Sequence, residues 1–123
     1  MYEVNRSVIV VIPQEPFWNW LQTLPDSDLE DLSLEDLQED ANAYFIHPVE
    51  DMDQAWDEIM QHLESIFSAE LADWCEDTQY WPDLHPDIFS EWFAIELCTM
   101  ATDLVSGDIE RERFEPIYLN PDA

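Results

Sequence analysis

Hydrophobic positions change period several times along this chain, and each change marks an element. Ser7-Val8-Ile9-Val10-Val11-Ile12 is a continuous, largely β-branched run closed by Pro13, which reads as a buried strand. Pro16 suits the first position of a helix. Phe17, Trp18, Trp20, Leu21 and Leu24 follow at helical spacing, and Pro25 ends the segment. Ser33-Leu34-Glu35-Asp36 is a weak helix start. Ala43 to Ile46 is a short strand candidate closed by His47-Pro48. The clearest helix begins at Asp51, which with Gln54 makes a capping-box-like start. Trp56, Ile59, Met60, Leu63, Ile66, Phe67, Leu71 and Trp74 then recur at the 3,4 spacing of one buried face. Asp57, Glu58, Glu64, Glu70 and Asp73 fall elsewhere on that helical wheel. Trp81 to Pro86 is a loop, and Pro86 opens a further helix through Ile88, Phe89, Trp92 and Phe93. Ile95 to Val105 matches neither period cleanly and is read as a third strand.

The order β-α-(α)-β-α-α-β predicts an α/β (α+β) fold. The expectation is a two-layer single domain over residues 1–123, with a small sheet of about three strands packed against two to four helices. Residues 26–42 form an acidic connector. Residues 106–123 form a C-terminal tail in which Phe114, Ile117 and Tyr118 are candidates to dock. Gly107 is the one glycine in the chain. Tight hairpins favour glycine, so strands joined through helices fit better than a meander.

Composition sharpens this picture. At 123 residues the chain suits one domain. Hydrophobic residues make up 46% and aromatics 13%, enough apolar area to offset chain entropy despite the charge. The charge is extreme: 30 Asp plus Glu stand against Arg6, Arg111 and Arg113, with no lysine, for a net charge of −27. Three arginines cannot neutralise a phosphate track, so direct nucleic-acid binding is excluded. One glycine rules out phosphate-cradling loops.

No cofactor, metal or catalytic residue is expected. Asp26-x-Asp28-x-Glu30 begins like a calcium loop, but its sixth position is Asp31 and its twelfth Leu37. Asp51-x-Asp53 fails in the same way, with His62 twelfth. Cys75, Cys98, His47, His62 and His85 show no zinc spacing, and Glu58 with His62 reads as a surface i,i+4 contact. Cys75 is followed by Glu76-Asp77, which disfavour a reactive thiolate. Carboxylate pairs are inevitable among 30 acids and point to no enzyme. Cys75 and Cys98 are expected to be buried free thiols in a reducing compartment. The N-terminus lacks the pattern of a secretory leader, and no stretch approaches the ~18 apolar residues of a membrane span. A cytoplasmic location without membrane contact is expected.

The acids lie along the whole chain and are not massed in one tail, which points to a folded charged surface. The 27 net charges match the phosphates on roughly 46 Å of duplex axis, at ~1.7 Å per charge. The expected function is a non-catalytic acidic protein that binds a basic partner, a DNA-binding protein or a nuclease, as a monomer or homodimer. Candidate contact residues are the connector acids Asp26, Asp28, Glu30, Asp31, Glu35, Asp36, Glu39 and Asp40. Asp51, Asp53, Asp57 and Glu58 at the start of the long helix come next, with Tyr80 and Trp81 as aromatic anchors. Phe17, Trp18, Trp20, Trp92 and Phe93 are read as core.

In size, charge and lack of lysine the chain resembles the small bacterial and phage DNA-mimic proteins. That resemblance implies inhibition of a DNA-binding protein and carries over no individual residue. The opening Val8 to Leu21, Ile66-Phe67, Trp81-Pro82 and Glu91-Trp92-Phe93 are similar to a group of small acidic bacterial proteins of unassigned function. Two other readings stay open: an immunity or antitoxin-type inhibitor of a basic nuclease, and a salt-adapted small enzyme or ligand-binding domain that uses an aromatic pocket.

Overall fold

The computed structural model describes residues 1–25 and 28–115 of the chain. Among the described residues, five strands and five α-helices follow in the order β1 (Tyr2–Val4), β2 (Ser7–Pro13), α1 (Glu15–Thr23), α2 (Leu34–Glu39), β3 (Asn42–Ile46), α3 (Met52–Gln61), α4 (Leu63–Ala72), α5 (Pro86–Trp92), β4 (Phe93–Cys98) and β5 (Ala101–Asp103), with a 3-10 turn at Thr78–Tyr80 before α5. The fold is α+β, as the element order predicts.

The β-branched run is the middle strand of a three-stranded antiparallel sheet ordered β3-β2-β4. Both of its neighbours reach it through helices, as the scarcity of glycine requires. Burial alternates along β2: Ser7, Ile9, Val11 and Pro13 face the core, while Val8, Val10 and Ile12 are half-buried on the opposite face. On the core face, Ile9 and Val11 meet Phe17, Trp20 and Leu21 of α1, Ile59 of α3, Phe67 and Leu71 of α4, Phe89 of α5 and Phe93 of β4. Phe67 stands among aromatic rings, with centroids 5.5 Å from Phe89, 5.9 Å from Phe93 and 6.1 Å from Trp92, all near-perpendicular. Such edge-to-face pairs add about 0.5–1.5 kcal/mol each beyond the area they bury.

Ser7 is fully buried where the sheet changes register. Its hydroxyl donates to the Thr99 carbonyl at 2.9 Å and accepts the Val49 N–H at 2.9 Å. Beyond it, Val4 pairs with Ala101 while Val8 pairs with Cys98. Residues 5–7 therefore oppose only 99–100, and the extra residue acts as a bulge. Past the bulge, β1 and β5 form a separate two-stranded ribbon. Three-residue strands carry no periodic signal, and the sequence reading contains no β1.

Three expectations are corrected. The helix read from Asp51 to Trp74 is two helices that meet at His62, which caps both with φ −117° and ψ 18°. An unbroken helix over 52–72 would run about 30 Å, against about 23 Å for the seven residues of β2. The turn keeps both halves over the short sheet. Within the stripe, Met60 beside the break and Trp74 at its end are exposed. Second, Cys75 is half-buried and Cys98 is exposed, both as free thiols. Cys98 closes β4 on the side away from the core, outside the packed residues among those described. Third, Phe114 is 77% exposed, so this part of the tail is not docked. Ile117, Tyr118 and the connector residue Asp26 lie outside the described residues. Among the described residues no helix is long and apolar enough to cross a membrane.

Candidate functional site

The connector acids owe their positions to α2. Ser33 caps that helix: its hydroxyl accepts the Asp36 N–H at 3.2 Å, and Asp36 Oδ2 accepts the Ser33 N–H at 2.9 Å. This reciprocal box sets the register that leaves Glu35, Asp36 and Glu39 exposed while Leu37 enters the core. Asp28, Glu30 and Asp31 are exposed ahead of the helix, and Asp40 closes it. At α3, Asp51 accepts the Gln54 N–H at 2.9 Å as the N-cap, and Asp53 and Asp57 are exposed.

Glu58 does not join them. It is 6% exposed, and its Oε1 accepts the backbone N–H of His47 at 3.0 Å and contacts the His47 ring nitrogen Nδ1. Its Oε2 is buried without a hydrogen bond, 3.8 Å from His62 Nε2. Glu58 therefore ties the end of β3 to the α3–α4 junction. The helical wheel hides this, because the partner comes from another element.

The aromatic anchors also change role. Trp81 is half-buried against the core, and its Nε1–H donates to the Cys75 carbonyl at 2.7 Å. Tyr80 is 43% exposed, and its carbonyl accepts the Trp20 Nε1–H at 2.8 Å. This loop braces two core tryptophans. The exposed aromatic beside the acids is Trp74, also at 43%.

Trp74 stands at a cleft of about 300 Å³ between α2, the start of β3 and the end of α4. Phe17, Leu37 and Phe93 give it an apolar floor; Asp36, Asp40, Glu70 and Asp73 supply carboxylates. Asn42 Nδ2 donates to Glu70 Oε2 at 2.5 Å and to Asp73 Oδ2 at 3.3 Å. Tyr44 hydrogen-bonds the same Glu70 carboxylate. Burial pushes Glu70 up to about 7, and the charge on Asp73 adds to this, against the opposing pull of the Asn42 and Tyr44 hydrogen bonds. Tyr44 is likewise pushed up, by burial and then by Glu70, which keeps its phenol protonated as a donor.

Of this group the sequence reading singled out Asp36 and Asp40 and missed Asn42, Tyr44, Glu70 and Asp73 as a set. A signal was present. Asn42 and Tyr44 sit two apart on one face of a strand, and Glu70 and Asp73 sit three apart on one face of a helix.

The chain exposes 8708 Å², against about 6,900 Å² for a compact protein of this size. The exposed residues 104–115 contribute to the excess. With 27 net charges, this is about 320 Å² per charge. Among the described residues the one arginine–carboxylate ion pair is Arg113–Glu115 at 3.7 Å. Among the described residues, the acids of the connector, α2 and the cleft thus have no arginine partner. Among the described residues, no group of three histidine, cysteine or acidic side chains is arranged to hold a metal ion.

No family model matches this chain, and no curated protein and no solved structure matches it. What the geometry defines is an α+β protein with uncompensated carboxylates beside a mixed acidic and apolar cleft.

Proposed function

We propose that this chain is a non-catalytic acidic binding protein that captures a basic protein, presenting carboxylates where that partner's lysines and arginines otherwise meet phosphates. The observation that carries this reading is the absence of arginine partners for the exposed acids of the connector and α2 among the described residues. Such charge attracts a cationic partner over a distance, steering its approach. The cleft offers that partner a second kind of contact, with an apolar floor for the stem of a long cationic side chain and carboxylates for its head.

A second reading, a dedicated inhibitor of a basic nuclease, is favoured by one observation. Trp74 is exposed beside Asp73 at the cleft, and tryptophan is enriched among the residues that carry binding energy at interfaces. Salt separates the two: a surface acting through many screened charges releases its partner as ionic strength rises, and one with a desolvated aromatic anchor holds on.

The test immobilises the full chain, captures partners from lysate at low salt, and elutes with salt and then with duplex DNA. Mimicry predicts a DNA-binding protein released by salt and displaced by duplex. A specific nuclease that resists salt supports the inhibitor reading. Asp28→Lys, Glu30→Lys, Asp31→Lys and Glu35→Lys combined should weaken recovery at least tenfold. Recovery unchanged by that reversal removes this segment from the site.

A further inference from the structure

The outer face of the sheet carries a feature that charge does not explain. Burial alternates along β2 and β4, and the pairing register with β2 assigns the two faces of β3. Opposite the core lie Val8, Val10 and Ile12 of β2, Ala43 and Phe45 of β3, and Ala94, Glu96 and Cys98 of β4. The register confirms the grouping: Val8 pairs with Phe45 and Cys98, Val10 with Ala43 and Glu96, and Ile12 with Ala94. None of the seven apolar members belongs to the core or to the hydrophobic residues packed against it. Phe45 is 54% exposed, and Ala43, Ala94 and Cys98 are exposed as well. An antiparallel sheet with one face in water normally alternates apolar inside with polar outside. Here the outer face is apolar except for Glu96, on a chain of net charge −27.

We propose that this face is a homodimer interface, packed against the same face of a second copy. Charge selects the occupant. A basic partner drawn by the carboxylates would set its lysines and arginines against Val, Ala and Phe, with Glu96 as the one counter-charge. A second copy instead matches apolar surface to apolar surface and leaves both sets of acids in water. A two-fold axis through one sheet face makes the contact self-complementary, and two sheets pack face to face at about 10 Å. Seven residues of β2 by three strands give a footprint of roughly 320 Å² per copy, against about 800 Å² per partner in a standard stable interface. The dimer is therefore weak and concentration-dependent.

Its salt dependence has an unusual sign. Two bodies of −27 repel each other, and salt screens that repulsion, so association strengthens as ionic strength rises. Capture of a basic partner weakens under the same change, and failure of either reading is visible without the other.

The test is sedimentation velocity of the full chain from about 10 to about 500 μM, a range that brackets weak dimers, at low and high salt. The expected result is a mass that doubles with concentration, with at least a tenfold tighter dissociation constant at high salt. Ala43→Glu with Ala94→Glu, at exposed positions that leave the core untouched, should abolish the dimer. Gln61→Glu, an equal kind of charge added on α3, should leave it in place. The wild-type chain supplies a probe of its own: maleimide labelling of Cys98 should slow as concentration rises, while Cys75 keeps its rate. A chain that stays monomeric at every concentration and salt overturns the proposal. So does a dimer that survives the double variant or leaves Cys98 equally reactive.

Discussion

Replacing Glu70 with glutamine should stabilise this protein, and the gain should depend on pH in one direction. Glu70 is 4% exposed, and burial lifts it from an ordinary value of 4.5 to about 7. Below pH 4.5 the carboxyl is protonated in both the folded and unfolded chains, and it contributes no pH dependence. Between 4.5 and 7 the folded chain holds a proton that the unfolded chain has released, so stability falls as pH rises. Above 7 both forms are ionised and the full cost remains. A difference of about 2.5 units at 1.36 kcal/mol each gives roughly 3 kcal/mol. Glutamine keeps the shape, accepts from Asn42 and bonds Tyr44, without a charge to desolvate. Glu70→Gln should therefore gain up to about 3 kcal/mol at pH 8, on the order of 10 °C in Tm for a chain of this length, and nothing at pH 4.5. Urea unfolding followed by tryptophan fluorescence, run for both proteins from pH 4.5 to 8.5, measures the difference. Comparing the two chains largely cancels the general repulsion among the other acids, which also changes with pH. A difference that stays flat across this range, or a variant less stable at pH 8, would refute the reasoning.

The other predictions also turn on buried polar groups. Glu58→Ala should cost about 2 kcal/mol in chemical denaturation, because it removes the buried carboxylate that accepts the His47 backbone N–H and ties the end of β3 to α3. Asp57→Ala, one residue away and exposed, should stay within about 0.5 kcal/mol of wild type. Equal losses in that pair would mean that Glu58 holds nothing. Ser7→Ala should cost about 1–3 kcal/mol, since the Val49 N–H loses its acceptor. Faster hydrogen exchange at Val49 in the variant would locate the loss, and unchanged exchange would exclude this origin.

Most elements were legible because their signals are local. The β-branched run at Ser7–Ile12, Pro86 and the Ser33 box are each read by nearest-neighbour physics and stand where their spacing predicts, while Pro16 falls one residue inside α1, which begins at Glu15. The two misplaced carboxylates share a cause. Glu58 and Glu70 lie off the apolar stripe of their helices and were read as exposed. His47 reaches one from the end of β3, and Asn42 and Tyr44 reach the other from within that strand. A helical wheel describes one helix, and these partners come from a strand. The fusion of α3 and α4 into one helix has another source: the apolar period runs through His62 unbroken, while the backbone turns there at φ −117° and ψ 18°.

Sequence alone therefore determined the α+β class, the buried strand at Ser7–Ile12, the aromatic core and a charge excess that no arrangement of three arginines could cancel. These properties depend on composition and on periods of a few residues. Tertiary structure decided which carboxylates are buried, that α2, β3 and α4 enclose a cleft, and that one face of the sheet is left apolar and, among the described residues, outside the core packing. Each of these depends on which distant segments meet, and a strand's alternation names two faces without saying which one the helices will cover.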